Sequence, residues 1–305
     1  MKKTMTMLVM LVVAMTMSAQ VGGVKIAPKY QKGDNMLYRA VTTTEAGGQK
    51  VTMTVDTRYR VTEALASGYT LEVTNEKVDV DAQDFMARLL SASENLLQGL
   101  TIVCTTDADG RVTGIKNFDE VRAQGEKSIE STVKVLMDEF PDMAQMLPTD
   151  MLKEQMAERL TEEKLVAGVA LAPSPLTLNG KTVATGKVEE SVNEDGRKVK
   201  NMYFLGSPDG KQVKVTTTLN MTKEEMKQFV IEQVSKLAPD QAQMIEENID
   251  MIMQSGQLKF ELNQTADYAF GDNGWLKTLS VDQKQNAMGQ ATSSVSKVEL
   301  VESSR

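Results

Sequence analysis

Ser294-Val295-Ser296-Lys297 has the spacing of a serine nucleophile and its lysine base. That chemistry needs the hydroxyl and the amine on one face of a helix. The surrounding residues read instead as a terminal strand, which turns the two side chains to opposite faces. Thr105 to Lys116 holds Asp107, Asp109 and Gly110 at the spacing of a calcium loop. The first ligand position there is Thr105 and the last is Lys116, so both key carboxylates are missing and a hairpin is the better reading. Gly180-Lys181-Thr182 has the ending of a phosphate-binding loop, but Pro175 stands where its first glycine belongs. Carboxylate pairs that cleave sugars are defined in space, not in sequence. Asp119, Glu120, Glu189 and Glu190 sit in polar surroundings and read as solvated surface charges. The single Trp, Trp275, follows a turn and reads as a packing residue rather than a sugar platform.

Composition narrows the chemistry further. The 305 residues include no His and one Cys. Triads that depend on imidazole, and zinc sites that rely on His, are therefore excluded. Intramolecular disulfides and multi-thiolate metal sites are excluded as well. No catalytic residue, metal ligand or cofactor is assigned. With 34 Lys plus Arg against 42 Asp plus Glu, the net charge of −8 argues against a nucleic-acid partner.

What remains is adaptable apolar surface. Met137, Phe140, Met143 and Met146 mark one helical block, and Met226, Phe229, Val230 and Met244 mark another. Methionine is flexible and polarizable, so a Met-lined face accepts apolar molecules of irregular shape. Buried Met stripes are also ordinary core. These eight residues are the candidate ligand-binding set.

The elements that position them begin after a leader. Lys2 and Lys3 precede an apolar run from Met5 to Met17, and Ser18-Ala19 follow. This reads as a signal peptide cleaved after Ala19. The run is too short for a membrane span, and no Cys follows it for lipid attachment. The chain is thus expected to be exported, periplasmic or extracellular, with no integral span. Cys104, in the strand-like run Thr101 to Thr105, reads as a small buried hydrophobe.

From Val51 to Val61, apolar residues alternate with polar ones, which predicts an antiparallel strand with one wet face. The same alternation recurs at 36–44, 69–75, 213–220 and 258–264. Asp109-Gly110, Asp195-Gly196, Asp209-Gly210 and Asn273-Gly274 supply hairpin turns between strand-like runs. Helices are predicted over 81–97 with Asp81 as cap, over 118–166 with breaks near Pro141 and Pro148, and over 222–255 with a break at Pro239. Thr222-Lys223-Glu224-Glu225 is a capping box. Residues 167–178 carry Pro173, Pro175 and no charge, and read as a connector between halves.

Two segments match closely, Pro141-Asp142-Met143-Ala144-Gln145-Met146 and Pro239-Asp240-Gln241-Ala242-Gln243-Met244. Each follows a hairpin and then a helix. Duplication of a sheet-plus-helix unit explains this, and so does convergence on common helix-start chemistry.

Tyr30-Gln31-Lys32-Gly33-Asp34 with Tyr38, Thr106-Asp107-Ala108-Asp109-Gly110-Arg111-Val112 with Ile115 and Asn117, and Gly274-Trp275-Leu276 form a further pattern. On these residues the chain resembles a family of uncharacterised exported proteins of Gram-negative bacteria. The resemblance implies location and architecture but no site. The element order is also similar to that of periplasmic lipoprotein carriers, in which helices lie across an incomplete barrel around an apolar cavity. No motif is shared with them, and fold alone does not fix function.

The expected fold is α+β, a curved, half-barrel-like antiparallel sheet with two helical blocks packed on one face. It forms one domain over 20–305, or two similar halves meeting near 167–178. The expected function is non-catalytic: an envelope protein that holds an apolar or lipid-like ligand between the sheet and the Met-rich helices. The alternative is a structural module that recruits an envelope protein partner and binds no small molecule.

Overall fold

The computed structural model describes residues 23–82, 98–139, 149–158, 160–171, 173–192, 197–237, 246–250, 260–287 and 290–304. Strands dominate them. The first half contributes β1 (Val24–Lys25), β2 (Asn35–Ala46), β3 (Gln49–Leu65), β4 (Gly68–Asp81), β5 (Thr101–Thr106) and β6 (Val112–Ile115). Helices α1 (Phe118–Glu139), α2 (Thr149–Ala157) and α3 (Glu162–Val169) follow. The second half holds β7 (Thr182–Val183), β8 (Val188–Val192), β9 (Lys198–Leu205), β10 (Gln212–Asn220) and α4 (Lys223–Leu237). It ends with β11 (Phe260–Phe270), β12 (Leu276–Ala287) and β13 (Gln290–Ser304).

Eleven strands form one open antiparallel sheet in the order β6-β5-β4-β3-β2-β13-β12-β11-β10-β9-β8. Each half is a meander, as its turn residues dictate. The meanders join where β13 pairs with β2, from Thr292 opposite Ala46 to Ser304 opposite Asn35. The strand predicted at 51–61 lies inside β3, with Tyr59 and Val61 buried. Asp56, on its polar face, is buried as well, because Arg39 donates two hydrogen bonds of 2.7 Å to its carboxylate.

The core gathers side chains from both meanders. Tyr38, Tyr59, Leu71 and Cys104 come from one, and Val213, Tyr268, Leu279 and Val298 from the other. Between them lie Ile26 and Tyr30 from the N-terminal segment, with Leu176, Leu178 and Val183. The end of the uncharged stretch read as a connector thus contributes Leu176 and Leu178 to the packed core. Its lack of charge, which looked like linker composition, is what lets Leu176 and Leu178 sit at 2% exposure. The short β1–β7 pair holds it beside the N-terminal segment, with Val24 opposite Val183.

Three turns converge on that N-terminal segment. A Cβ on Gly110 would lie 2.4 Å from Pro28 Cγ, and one on Gly274 2.8 Å from Pro28 Cα. A Cβ on Gly210 would lie 2.7 Å from Val24 Cγ1. Glycine is required at the first two because main chain or a ring fills the space, and all three have positive φ.

The helical expectations were partly met. α1 runs to Glu139 and α2 from Thr149, with Pro141 and Pro148 outside the described residues, while Thr161 starts a further helix by accepting a hydrogen bond from Lys164 N–H. The capping box at α4 is formed: Thr222 N–H donates to the Glu225 carboxylate at 2.8 Å, and Glu225 N–H donates to Thr222 Oγ1 at 3.3 Å. Asp81 ends β4, and the helix predicted after it, at 83–97, lies outside the described residues, as do Asp195-Gly196 and the matched Pro segments. Among the described residues, α3 lies against the edge strand β6, where the Glu162 carboxylate accepts a hydrogen bond from Ile115 N–H at 3.1 Å. Among the described residues, the large core holds Ile26, Tyr30, Leu176, Leu178 and Val183, with Val169 of α3 packed against it, while α4 packs on Phe260 of β11.

Candidate functional site

A cavity of about 470 Å³ lies against β8 to β12, roofed by Ala170, Leu171, Thr177, Leu178 and Lys181. This is within the size range of small-molecule sites. Its floor follows from strand periodicity. In β11 the inward phase runs Phe260, Leu262, Gln264, Ala266, Tyr268, Phe270, apolar or aromatic except for Gln264. In β9 it runs Val199, Asn201, Tyr203, Leu205, and in β10 Val213, Val215, Thr217, Leu219. In β12, Leu279 and Val281 precede Gln283 and Gln285. Three of these strands thus place one polar side chain in an apolar phase, and in β12 the phase turns polar at Gln283.

Register aligns them. Asn201 lies opposite Thr217, Thr217 opposite Gln264, and Gln264 opposite Gln283. The row continues through Ser294 to Thr44 on β2. Cross-strand partners share a face, so the floor carries an uncharged polar row. On one side of it lie Tyr203, Val215, Ala266 and Val281, and on the other Val199, Leu219 and Leu262 with Gln285 at the β12 end.

Part of the row is already satisfied. Thr217 Oγ1 donates to Asn201 Oδ1 at 2.7 Å, and Asn201 Nδ2 donates to Ser191 Oγ at 2.8 Å. Thr44 Oγ1 donates to Ser294 Oγ at 3.2 Å. Gln264 and Gln283, half-buried at the centre, make no side-chain hydrogen bond among the described residues.

Lys181, Glu189 and Arg197 at the cavity are engaged. Lys181 Nζ lies 3.4 Å from Tyr203 Oη and 3.9 Å from Glu189. Glu189 is held below the usual carboxylate range, first by Lys187, whose ammonium is 2.6 Å away. Tyr203 is pushed well above the ordinary phenol value, by burial first and then by Glu189. The Arg197 guanidinium stacks over Phe229 and Phe260, 5.4 and 5.5 Å from their ring centres. No cluster of three or more metal-ligating side chains occurs among the described residues.

Of the predicted site residues, Met226, Phe229 and Val230 come together on α4. They pack with Ile249 and Phe260 in a small separate core, not on the cavity wall. Met137 is half-buried on α1 and does not line the cavity. Phe140, Met143, Met146 and Met244 lie outside the described residues. Sequence reasoning passed over the amide row, although its signal was legible strand by strand.

No family model matches the chain, and neither does any curated protein. Among solved structures it is similar to a chain described under lipid–protein interactions in lipovitellin, with a TM-score of 0.40 and 9% identity. The match covers 90% of this chain and 26% of that one, so the chain spans about a quarter of that structure's length. No described helix is long and apolar enough to cross a membrane.

Proposed function

We propose that the chain is a non-catalytic, exported binding or carrier protein that holds a lipid-like molecule in the cavity beneath residues 170–181. The observation that carries this is the cavity itself, with apolar rows on its floor and Leu171 and Leu178 in its roof. Export rests on the leader reading of residues 1–19, and the family resemblance agrees with it. The ligand seat moves from the Met-rich helices to the sheet.

A curved sheet belongs to the same reading. The Gly110 turn joins β5 to β6 and the Gly210 turn joins β9 to β10, near opposite ends of the strand order. In a flat sheet those positions would stand roughly 38 Å apart, at ~4.8 Å per strand. Yet both turns touch residues 24–28, a span of at most about 14 Å. Bending of the two arms toward each other accounts for this.

Leu262, half-buried in the cavity wall, provides the test. Leu262→Trp should leave the fold intact by circular dichroism and weaken binding of a fluorescent apolar dye by tenfold or more. Equal dye binding by parent and variant would sink the assignment of this cavity, and no binding by the parent would sink the carrier reading.

One observation favours the alternative, a module that recruits an envelope partner. Val188 on the edge strand β8 lies opposite Met202, and both are exposed, at 52% and 41%. Crosslinking in cells through position 188 should capture a discrete protein if that reading holds.

A further inference from the structure

The polar row restricts what the cavity can hold. Six uncharged side chains, Asn201, Thr217, Gln264, Gln283, Ser294 and Thr44, lie side by side across six neighbouring strands, and the first four line the cavity. An apolar ligand alone would leave the central amides without partners in a partly dehydrated space, which costs free energy. Each amide can accept two hydrogen bonds and donate two. Gln264 and Gln283 make none among the described residues, and Gln285, next along β12 and also in the lining, extends this capacity beside the apolar rows of β9 to β11.

A charged head fits less well. A carboxylate or phosphate entering here would exchange its hydration for neutral amides. The nearby Lys181 faces Tyr203 and Glu189, and the Arg197 guanidinium lies on two aromatic rings. Glu261 adds a negative charge at the wall.

We infer that Gln264 and Gln283 form a polar subsite within the cavity, and that its ligand is an acyl-chain amphiphile with an uncharged, hydroxyl-bearing head. This rests on the carrier reading and narrows it to a ligand class. Hydroxyls both donate and accept, as the facing amides require, and the apolar side chains of β9 to β11 beside them receive the chain.

The test uses the full chain, a fluorescent apolar dye, and three competitors of equal chain length at pH 8: monolauroylglycerol, laurate and dodecylphosphocholine. Monolauroylglycerol should displace the dye at a concentration at least tenfold below the other two. In Gln264→Leu/Gln283→Leu that advantage should vanish while dye affinity holds or rises. If the double variant does not fold, Gln283→Leu alone should reduce the advantage at least threefold. Equal or better displacement by laurate or dodecylphosphocholine would overturn the neutral-head inference and leave the carrier reading standing. An advantage that persists in the Leu variants would overturn the subsite. Failure of the parent to bind dye or any amphiphile would overturn the carrier reading itself.

Discussion

All six tyrosines have phenols raised above their ordinary value, each chiefly by burial. Tyr38 donates to Leu276 O at 2.8 Å, and Tyr30 stacks on Trp275 with ring centres 4.0 Å apart. A folded value above the unfolded one means stability that is whole below the unfolded phenol value of about 10 and lost as pH rises through the folded value. Tyrosinate absorbance should therefore stay low in the native protein above pH 10 and emerge together with unfolding by circular dichroism. Cys104 behaves in the same way, its thiol pushed up to about 12 by burial. Asp56 has the opposite sign. The hydrogen bond from Arg39 holds its carboxyl below the usual range, so its contribution is present above the unfolded carboxylate value of about 4 and is lost as pH falls through the folded one. Arg39→Gln should lower the urea midpoint at pH 7, and the gap to the parent should close as pH falls below the unfolded carboxylate value and through the lowered folded one.

At the scale of the element, the turn between β3 and β4 is the most constrained. Gly68 has φ +148°, and a Cβ there would lie 1.9 Å from Thr106 O, a main-chain atom that β5 holds in place. Gly47, between β2 and β3, also has positive φ but open space around it. Gly47→Ala should cost about 1 kcal/mol, from backbone strain alone. Gly68→Ala should cost more than about 2 kcal/mol, because the β4–β5 ladder must shift as well. Urea unfolding of the two variants compares them directly. The edges of the sheet are treated unequally: Glu162 occupies an N–H of β6, while β8 presents Val188. That asymmetry is why the second functional reading points to β8.

For the whole molecule, the decisive fact is that one hydrophobic cluster draws on both meanders and on the segments threaded between them. Trp275 is at its centre, 1% exposed, with its indole N–H donating to the fully buried Asp34 at 3.1 Å. Trp275→Ala should cost about 3–5 kcal/mol from the lost side chain alone. Its urea unfolding should remain a single transition in which dye release and loss of strand signal coincide. Two separated transitions would show that the halves fold independently.

The local chemistry was legible in the chain: hairpins at Asp109-Gly110, Asp209-Gly210 and Asn273-Gly274, the alternation of β3 and the capping box at Thr222. Each depends on residues close in sequence, where propensity and turn geometry act directly. The fate of residues 167–178 was not legible, because an uncharged Pro-containing stretch reads alike as linker and as core until its neighbours are known. The methionine helices drew attention as a site because a Met stripe looks the same whether it covers a ligand or packs on Phe260. Asn201, Thr217 and Gln264 each looked like one polar residue in the apolar phase of its strand, and Gln283 like the start of a polar strand end. Only pairing register, a contact between residues far apart in the chain, brought them into one row, and register is set by the whole sheet.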